Sequence, residues 1–137
     1  MKVMILSVGG SAEPVVKAIK LGNPDYVYFF CSRGPLGSEK TIAAPGEPCG
    51  DTRKITCKKC KCEQYIGDPK GKAIAVQAGL DPSQYEIVAV DNPDDLWECY
   101  AAVRELLVGI EEKHGPRCAV ITNYTGVTKT MSVAMVL

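Results

Sequence analysis

The chain alternates continuous apolar runs with segments of helical periodicity. Lys2 to Val8 is almost wholly apolar, with Val3, Met4, Ile5 and Leu6 in succession. A run of this kind fits a strand covered on both faces, as in a parallel sheet. Gly9-Gly10-Ser11 breaks it. Ser11 is placed to cap a helix starting at Ala12, and Pro14 is tolerated in its first turn. Val15, Ala18, Ile19 and Gly22 keep helical spacing, and Gly22-Asn23-Pro24 stops the helix. Asp25 to Cys31 predicts a second buried strand, Tyr85 to Val90 a third and Arg117 to Thr122 a fourth.

Between the second and third strands the pattern changes. Ser32 to Cys62 is rich in Gly and Pro and predicts a short helix around Ser38 to Ala44, followed by an inserted loop or knuckle over about residues 45–67. Asp68-Pro69 restarts regular structure, with a helix to Ala78 and Gly79 at its end. After the third strand, Asn92 is placed to cap a helix with Pro93 at its first position and acids in its first turn. Leu96, Tyr100, Val103, Leu107 and Ile110 form its apolar stripe, and Lys113-His114-Gly115-Pro116 ends it, with His114 expected as a capping cation. Thr130 to Leu137 predicts a last helix. The order β-α-β-(insert)-α-β-α-β-α predicts an α/β fold: a Rossmann-like three-layer sandwich with a mainly parallel central sheet and a cysteine-rich insertion.

The 137 residues fit one domain. No run approaches the ~18 apolar residues of a membrane span, and 46% hydrophobic content is too high for disorder. The 16 basic and 16 acidic residues cancel, which argues against a general nucleic-acid coat. The cancellation conceals a basic stretch, Asp51 to Lys72 (seven bases, three acids), and an acidic one, Asp81 to Glu112 (nine acids, one base). No signal-peptide pattern follows Met1, so the expected compartment is the cytoplasm, with thiols reduced or metal-bound. The apolar end Met135-Val136-Leu137 is expected to lead into a further domain.

In open α/β sheets ligands bind outside the carboxyl ends of the strands, where strand order reverses. If the first and fourth strands are neighbours, two loops meet there: Val8 to Ser11, and Asn123 to Lys129. Both precede helices, whose starts suit anions. Glycines permit close backbone approach, Ser11, Thr125 and Thr128 add hydroxyls, and Lys129 is the only charged residue from Cys118 to Leu137. Together they predict an anion or nucleotide site. The loops differ from the Gly-x-Gly-x-x-Gly fingerprint and from a phosphate loop ending Gly-Lys-Ser/Thr. Ser32, Arg33 and Lys40 follow the second strand at the same edge. Glu13 is the only carboxylate near the loops by sequence, so no acid–base pair is evident. Cys49, Cys57, Cys60 and Cys62 offer four thiolates for a structural zinc, although Cys-x-Cys is tighter than the usual spacing; free thiols and redox chemistry are the alternatives. Cys31, Cys99 and Cys118 fall in apolar patterns and are expected in the core.

Three segments resemble the CRISPR-associated Rossmann-fold (CARF) domain of type III CRISPR ancillary proteins. They are Ile5 to Val15, Phe29 to Ser32 with Gly37-Ser38-Glu39-Lys40, and Asn123 to Ser132. The family's last motif is similar to Thr-Gly-Gly-Thr-Lys; here Val127 stands at the second glycine. The resemblance covers the chain apart from the cysteine-rich stretch. It implies a ligand-sensing domain that binds cyclic oligoadenylate, an antiviral second messenger, over the two-fold axis of a homodimer and controls a C-terminal effector, often a ribonuclease. Carried onto this chain, Gly9, Gly10, Ser11, Thr125, Gly126, Thr128 and Lys129 would hold ribose and phosphate, with Ser32 and Arg33 beside the adenine. No membrane or direct DNA partner is expected, and no cofactor is required beyond a possible structural zinc. Two alternatives stay open. One is a ring nuclease in which Lys129 stabilises the charge developing as a ribose 2′-hydroxyl attacks. The other is a zinc-stapled nucleic-acid module built on Lys58, Lys59 and Lys61.

Overall fold

The computed structural model describes residues 1–10, 12–34, 37–43, 54–56, 58–65, 73–124 and 129–136. In chain order the elements are β1 (Lys2–Ser7), α1 (Glu13–Gly22), β2 (Tyr26–Ser32), α2 (Lys40–Ala43), β3 (Lys54–Thr56), β4 (Glu63–Tyr65), α3 (Ile74–Ala78), β5 (Tyr85–Val90), α4 (Leu96–His114), β6 (Ala119–Asn123) and α5 (Lys129–Val136). β1, β2, β5 and β6 pair in parallel in the order β5-β2-β1-β6. The chain steps outward from β1 through β2 to β5, then crosses back to place β6 on the other side of β1. Right-handed crossovers made in opposite directions put their helices on opposite faces.

The two faces follow the two-residue period of the strands. Met4, Leu6 and Val8 of the first run, with Val27, Phe29 and Cys31, pack against Val15, Val16 and Ile19 of α1, Ile42 of α2 and Ile74 of α3. Val3, Ile5, Tyr28, Phe30 and Val90 face Cys99, Val103, Leu106 and Ile110 of α4 and Met131, Ala134 and Met135 of α5. Coverage on both sides explains why β1 and β2 are near-continuous apolar runs. β6 is an edge strand and is more open, with Val120 and Ile121 about 40% exposed. Among the described residues, no helix is long and apolar enough to cross a membrane.

Several local expectations shift. The cap of α4 is Asp95, not Asn92. Asp95 Oδ1 accepts hydrogen bonds from the Trp97 and Glu98 amides at 2.9 and 3.2 Å, while Asn92 Oδ1 accepts from the Asp94 amide at 3.0 Å and closes a turn before the helix. The buried stripe of α4 is Cys99, Val103, Leu106 and Ile110; Leu96 and Leu107 are exposed and Tyr100 is half-buried. The predicted stripe and the observed one share Val103 and Ile110 and the same spacing, so periodicity alone cannot choose between them. α1 begins at Glu13 with Ala12 at the cap position and no side-chain cap bond; Ser11 lies outside the described residues. α2 and α3 are shorter than predicted, and residues 68–72 lie outside the described set. The insertion contains an antiparallel hairpin, with Lys54 opposite Tyr65 and Thr56 opposite Glu63. Strands of three residues are too short for alternation to reveal them in the sequence.

The choice of α4 face is testable by denaturant unfolding. Leu106→Ala is expected to cost about 2–4 kcal/mol, because it leaves a cavity in the core. Leu107→Ala is expected to cost under about 1 kcal/mol, since Leu107 is already 45% exposed.

Candidate functional site

The strand order places the carboxyl ends of β1 and β6 side by side, with Leu6 registered against Asn123. This is the point where strand order reverses. α1 leaves it toward one face of the sheet and α5 toward the other. The starts of two helices, of ten and eight residues, therefore flank one position at the sheet's carboxyl edge, the place where open α/β sheets form their binding cleft. Free amide groups and the positive ends of the helix dipoles make such a position favourable for anions.

Ser7, the last residue of β1, is 1% exposed, and its Oγ donates to the Asn123 carbonyl oxygen at 3.3 Å. This bond joins the two strand ends beneath the cleft. On the α5 side the Ser132 hydroxyl donates to the Tyr124 carbonyl oxygen at 3.4 Å and draws the helix toward the loop that precedes it. Neither Ser7 nor Ser132 stood out in the sequence as a site residue. The available signal was a lone hydroxyl ending an apolar run.

The expected ligand residues fall as follows. Gly9 is half-buried and Gly10 exposed at the β1 end of the cleft, and Lys129 is exposed as the first residue of α5. Ser11, Thr125, Gly126 and Thr128 lie outside the described residues. Ser32 and Arg33 sit at the end of β2, beside β1 on the side away from β6. Their loop is tightly wound. The Ser32 amide donates to Ser38 Oγ at 3.2 Å, and the Glu39 amide donates to the Ser32 carbonyl oxygen at 3.1 Å. A side chain at Gly37 would run into the Ser32 carbonyl oxygen and the Arg33 backbone, so only glycine fits there.

The electrostatics of this edge differ from a simple basic pocket. Arg33 Nη1 donates to Asp91 Oδ1 at 2.9 Å, and Glu39 stands 4.0 Å from Arg33 Nε. The pair joins the ends of β2 and β5 at the surface, where such contacts add little stability but do occupy the guanidinium. Lys129 is set apart from these acids in sequence and in sheet position. It and the two helix starts favour an anion at the β1–β6 edge, while Glu13, the first residue of α1, opposes it.

Cys60 and Cys62 lie exposed in the loop of the β3–β4 hairpin and are joined as a disulfide. Reduced, the pair would offer two of the four donors a zinc needs. Cys49 and Cys57 lie outside the described residues, and among the described ones no group of three or more His, Cys, Asp or Glu residues stands ready for a metal. Cys31 and Cys99 are buried in the core as expected, and Cys118 is half-buried beside it.

A second polar cluster lies at the opposite, amino-terminal edge of the sheet. Lys113 Nζ donates to the Tyr26 hydroxyl oxygen at 2.8 Å and to Glu86 Oε2 at 3.3 Å, and the Tyr28 hydroxyl lies 2.9 Å from His114 Nε2. Burial pushes the His114 pKa down, and the charge of Lys113 adds to this while Glu86 partly opposes it. Burial also raises the Tyr28 pKa, so its hydroxyl keeps its proton, and the His114 tautomer sets which of the two groups donates. His114 is thus tied to β2 through Tyr28, and its lowered pKa favours the neutral ring over the capping cation expected from its place at a helix end.

No protein-family model and no curated protein matches the chain.

Two measurements check this geometry. Ser7→Ala is expected to lower unfolding stability by about 1 kcal/mol, through loss of the bond to Asn123. For His114, a folded pKa below the unfolded value of about 6.5 means the unfolded chain takes up its proton first as pH falls. Its contribution is therefore complete above that pH and declines as pH drops through the window beneath it. His114→Gln should flatten the pH dependence of stability there, measured as the difference between variant and parent unfolding curves.

Proposed function

We propose that the cleft between β1 and β6 binds a phosphate-bearing nucleotide, and that the ligand is a cyclic oligoadenylate sensed by two copies of the domain. The observation that carries the reading is the strand order. It brings the starts of α1 and α5 to one cleft, with Gly9, Gly10 and Lys129 on its two sides and the Ser7–Asn123 bond joining its strand ends. The nucleotide class rests on this geometry. The cyclic adenylate, the homodimer and control of a further effector rest on the sequence resemblance to CARF domains.

In this reading backbone amides and one lysine hold the phosphates. Open backbone at Gly9 and Gly10 lets a ribose-phosphate chain come close. A ring with two-fold symmetry meets the same loops from each copy across an isologous axis. Arg33 has a different part. It is occupied by Asp91 and Glu39, so it borders the ligand's base side without supplying free charge, unless the ligand displaces those carboxylates. Among the described residues no acid–base pair faces the cleft, which favours binding over cleavage.

Calorimetry with cyclic tetra-adenylate and cyclic hexa-adenylate tests the proposal. Micromolar or tighter binding of one ring is expected, and no binding of either overturns it. Lys129→Ala should weaken binding roughly tenfold, about 1.4 kcal/mol, and lower its salt dependence while leaving unfolding stability unchanged. Chromatography after long incubation should return the ring intact.

A further inference from the structure

The β3–β4 hairpin forms its own two-stranded sheet, apart from the four-stranded one, and the segment joining its strands carries the Cys60–Cys62 disulfide. A disulfide stabilises a fold chiefly by closing a loop that is open in the unfolded chain, and the effect grows with the length of that loop. This bond links residues two apart in sequence, with Cα atoms 5.4 Å apart, and joins no two elements. Its contribution to stability is accordingly small. Both cysteines are exposed, as are Lys58, Lys59 and Lys61 around them. Lys61, between the two, has a φ of 56°, in the left-handed region that residues other than glycine seldom adopt. The bond therefore has the attributes of a labile disulfide and not those of a staple. An attacking sulfur has open access, ammonium groups stand near to stabilise a thiolate, and the turn regains backbone freedom when the bond opens. Cys31 and Cys99, buried in the core, have neither the access nor the lysines.

We propose that Cys60 and Cys62 form a thiol–disulfide exchange site, whose partners are small thiols of net negative charge and their disulfides. The lysines set the class. Three of them within four residues draw an anionic thiol and repel a cationic one. They also give the exchange a direction. Cys60 lies between Lys59 and Lys61, whereas Cys62 adjoins Lys61 alone. Negative charge is better stabilised on Cys60, which makes it the better leaving sulfur.

The incoming thiolate attacks Cys62 Sγ. A new S–S bond forms there as the Cys60–Cys62 bond breaks, and the electron pair of the broken bond leaves on Cys60 Sγ. A second small thiolate attacks the external sulfur of this mixed disulfide and releases the Cys62 thiolate. Two small thiols are thereby oxidised to one disulfide, and the protein's disulfide is reduced to two thiols. The two protons given up by the small thiols balance those taken up by Cys60 and Cys62. In reverse, the reduced pair is oxidised by an anionic disulfide. The chemistry uses no residue of the β1–β6 edge and holds whether or not a nucleotide binds there.

Mass spectrometry of the full chain, with free thiols alkylated before digestion, tests the proposal. After treatment with glutathione disulfide, a Cys60–Cys62 pair is expected. After millimolar glutathione both cysteines should be alkylated, with the circular dichroism spectrum and unfolding midpoint unchanged. Acid quenching early in the reaction should place the mixed disulfide on Cys62. At matched thiolate concentration, glutathione should open the bond at least about tenfold faster than cysteamine, and added salt should narrow the difference. Replacing Lys58, Lys59 and Lys61 together by Glu should remove that preference. A pairing of either cysteine with Cys49 or Cys57, a bound metal that closes the pair to glutathione, or equal rates with the two thiols overturns the proposal.

Discussion

The central position of β1 governs the rest of the molecule. It is hydrogen-bonded to β2 on one side and β6 on the other, and buried on both faces. A strand in that position needs apolar side chains at every position, and it needs a partner brought from the far end of the chain. That partner, β6, can be reached only by a crossover that reverses the direction of sheet growth. The reversal opens the cleft, because the helices on either side must leave toward opposite faces. Core and candidate site are therefore consequences of one pairing. Ser7 marks the junction: it is buried like its apolar neighbours, yet it uses its hydroxyl to hold Asn123 beneath the cleft.

The carboxyl edge is electrically divided. At the β2–β5 end, Arg33 is matched by Asp91 and Glu39, and Asp94 and Asp95 follow at the start of α4. At the β1–β6 end, the helix starts and Lys129 are accompanied by a single acid in the neighbouring sequence, Glu13 at the first residue of α1. The two regions thus differ in charge although both lie along one edge. The zero net charge of the chain hides this division as well as the contrast between its basic insertion and acidic central stretch.

α4 shows how much one helix can carry. Its inner stripe completes the core, its start is fixed by Asp95, and its last residue is tied to β2 through Tyr28. Its outer side leaves Trp97, Leu107 and Val108 exposed, so apolar residues recur all round the helix. The sequence pattern consequently offers several faces of similar quality, and the sheet selects one of them.

The sequence by itself determined the alternation of strands and helices, the two-sided burial of β1 and β2, and the loops where a ligand could sit. Each of these depends on a short window: a run of apolar residues, a turn residue, a helical spacing. What it left open was which of two equally spaced stripes on α4 faces inward, which acid caps that helix, and where three-residue strands hide in the insertion. Tertiary structure alone decided that Ser7 meets Asn123, 116 residues away, that Arg33 is held by Asp91, and that His114 pairs with Tyr28 in surroundings that favour its neutral form. The physical reason is common to all three. A residue's partner and protonation state depend on the groups that the sheet brings beside it from distant parts of the chain, and no local window contains them.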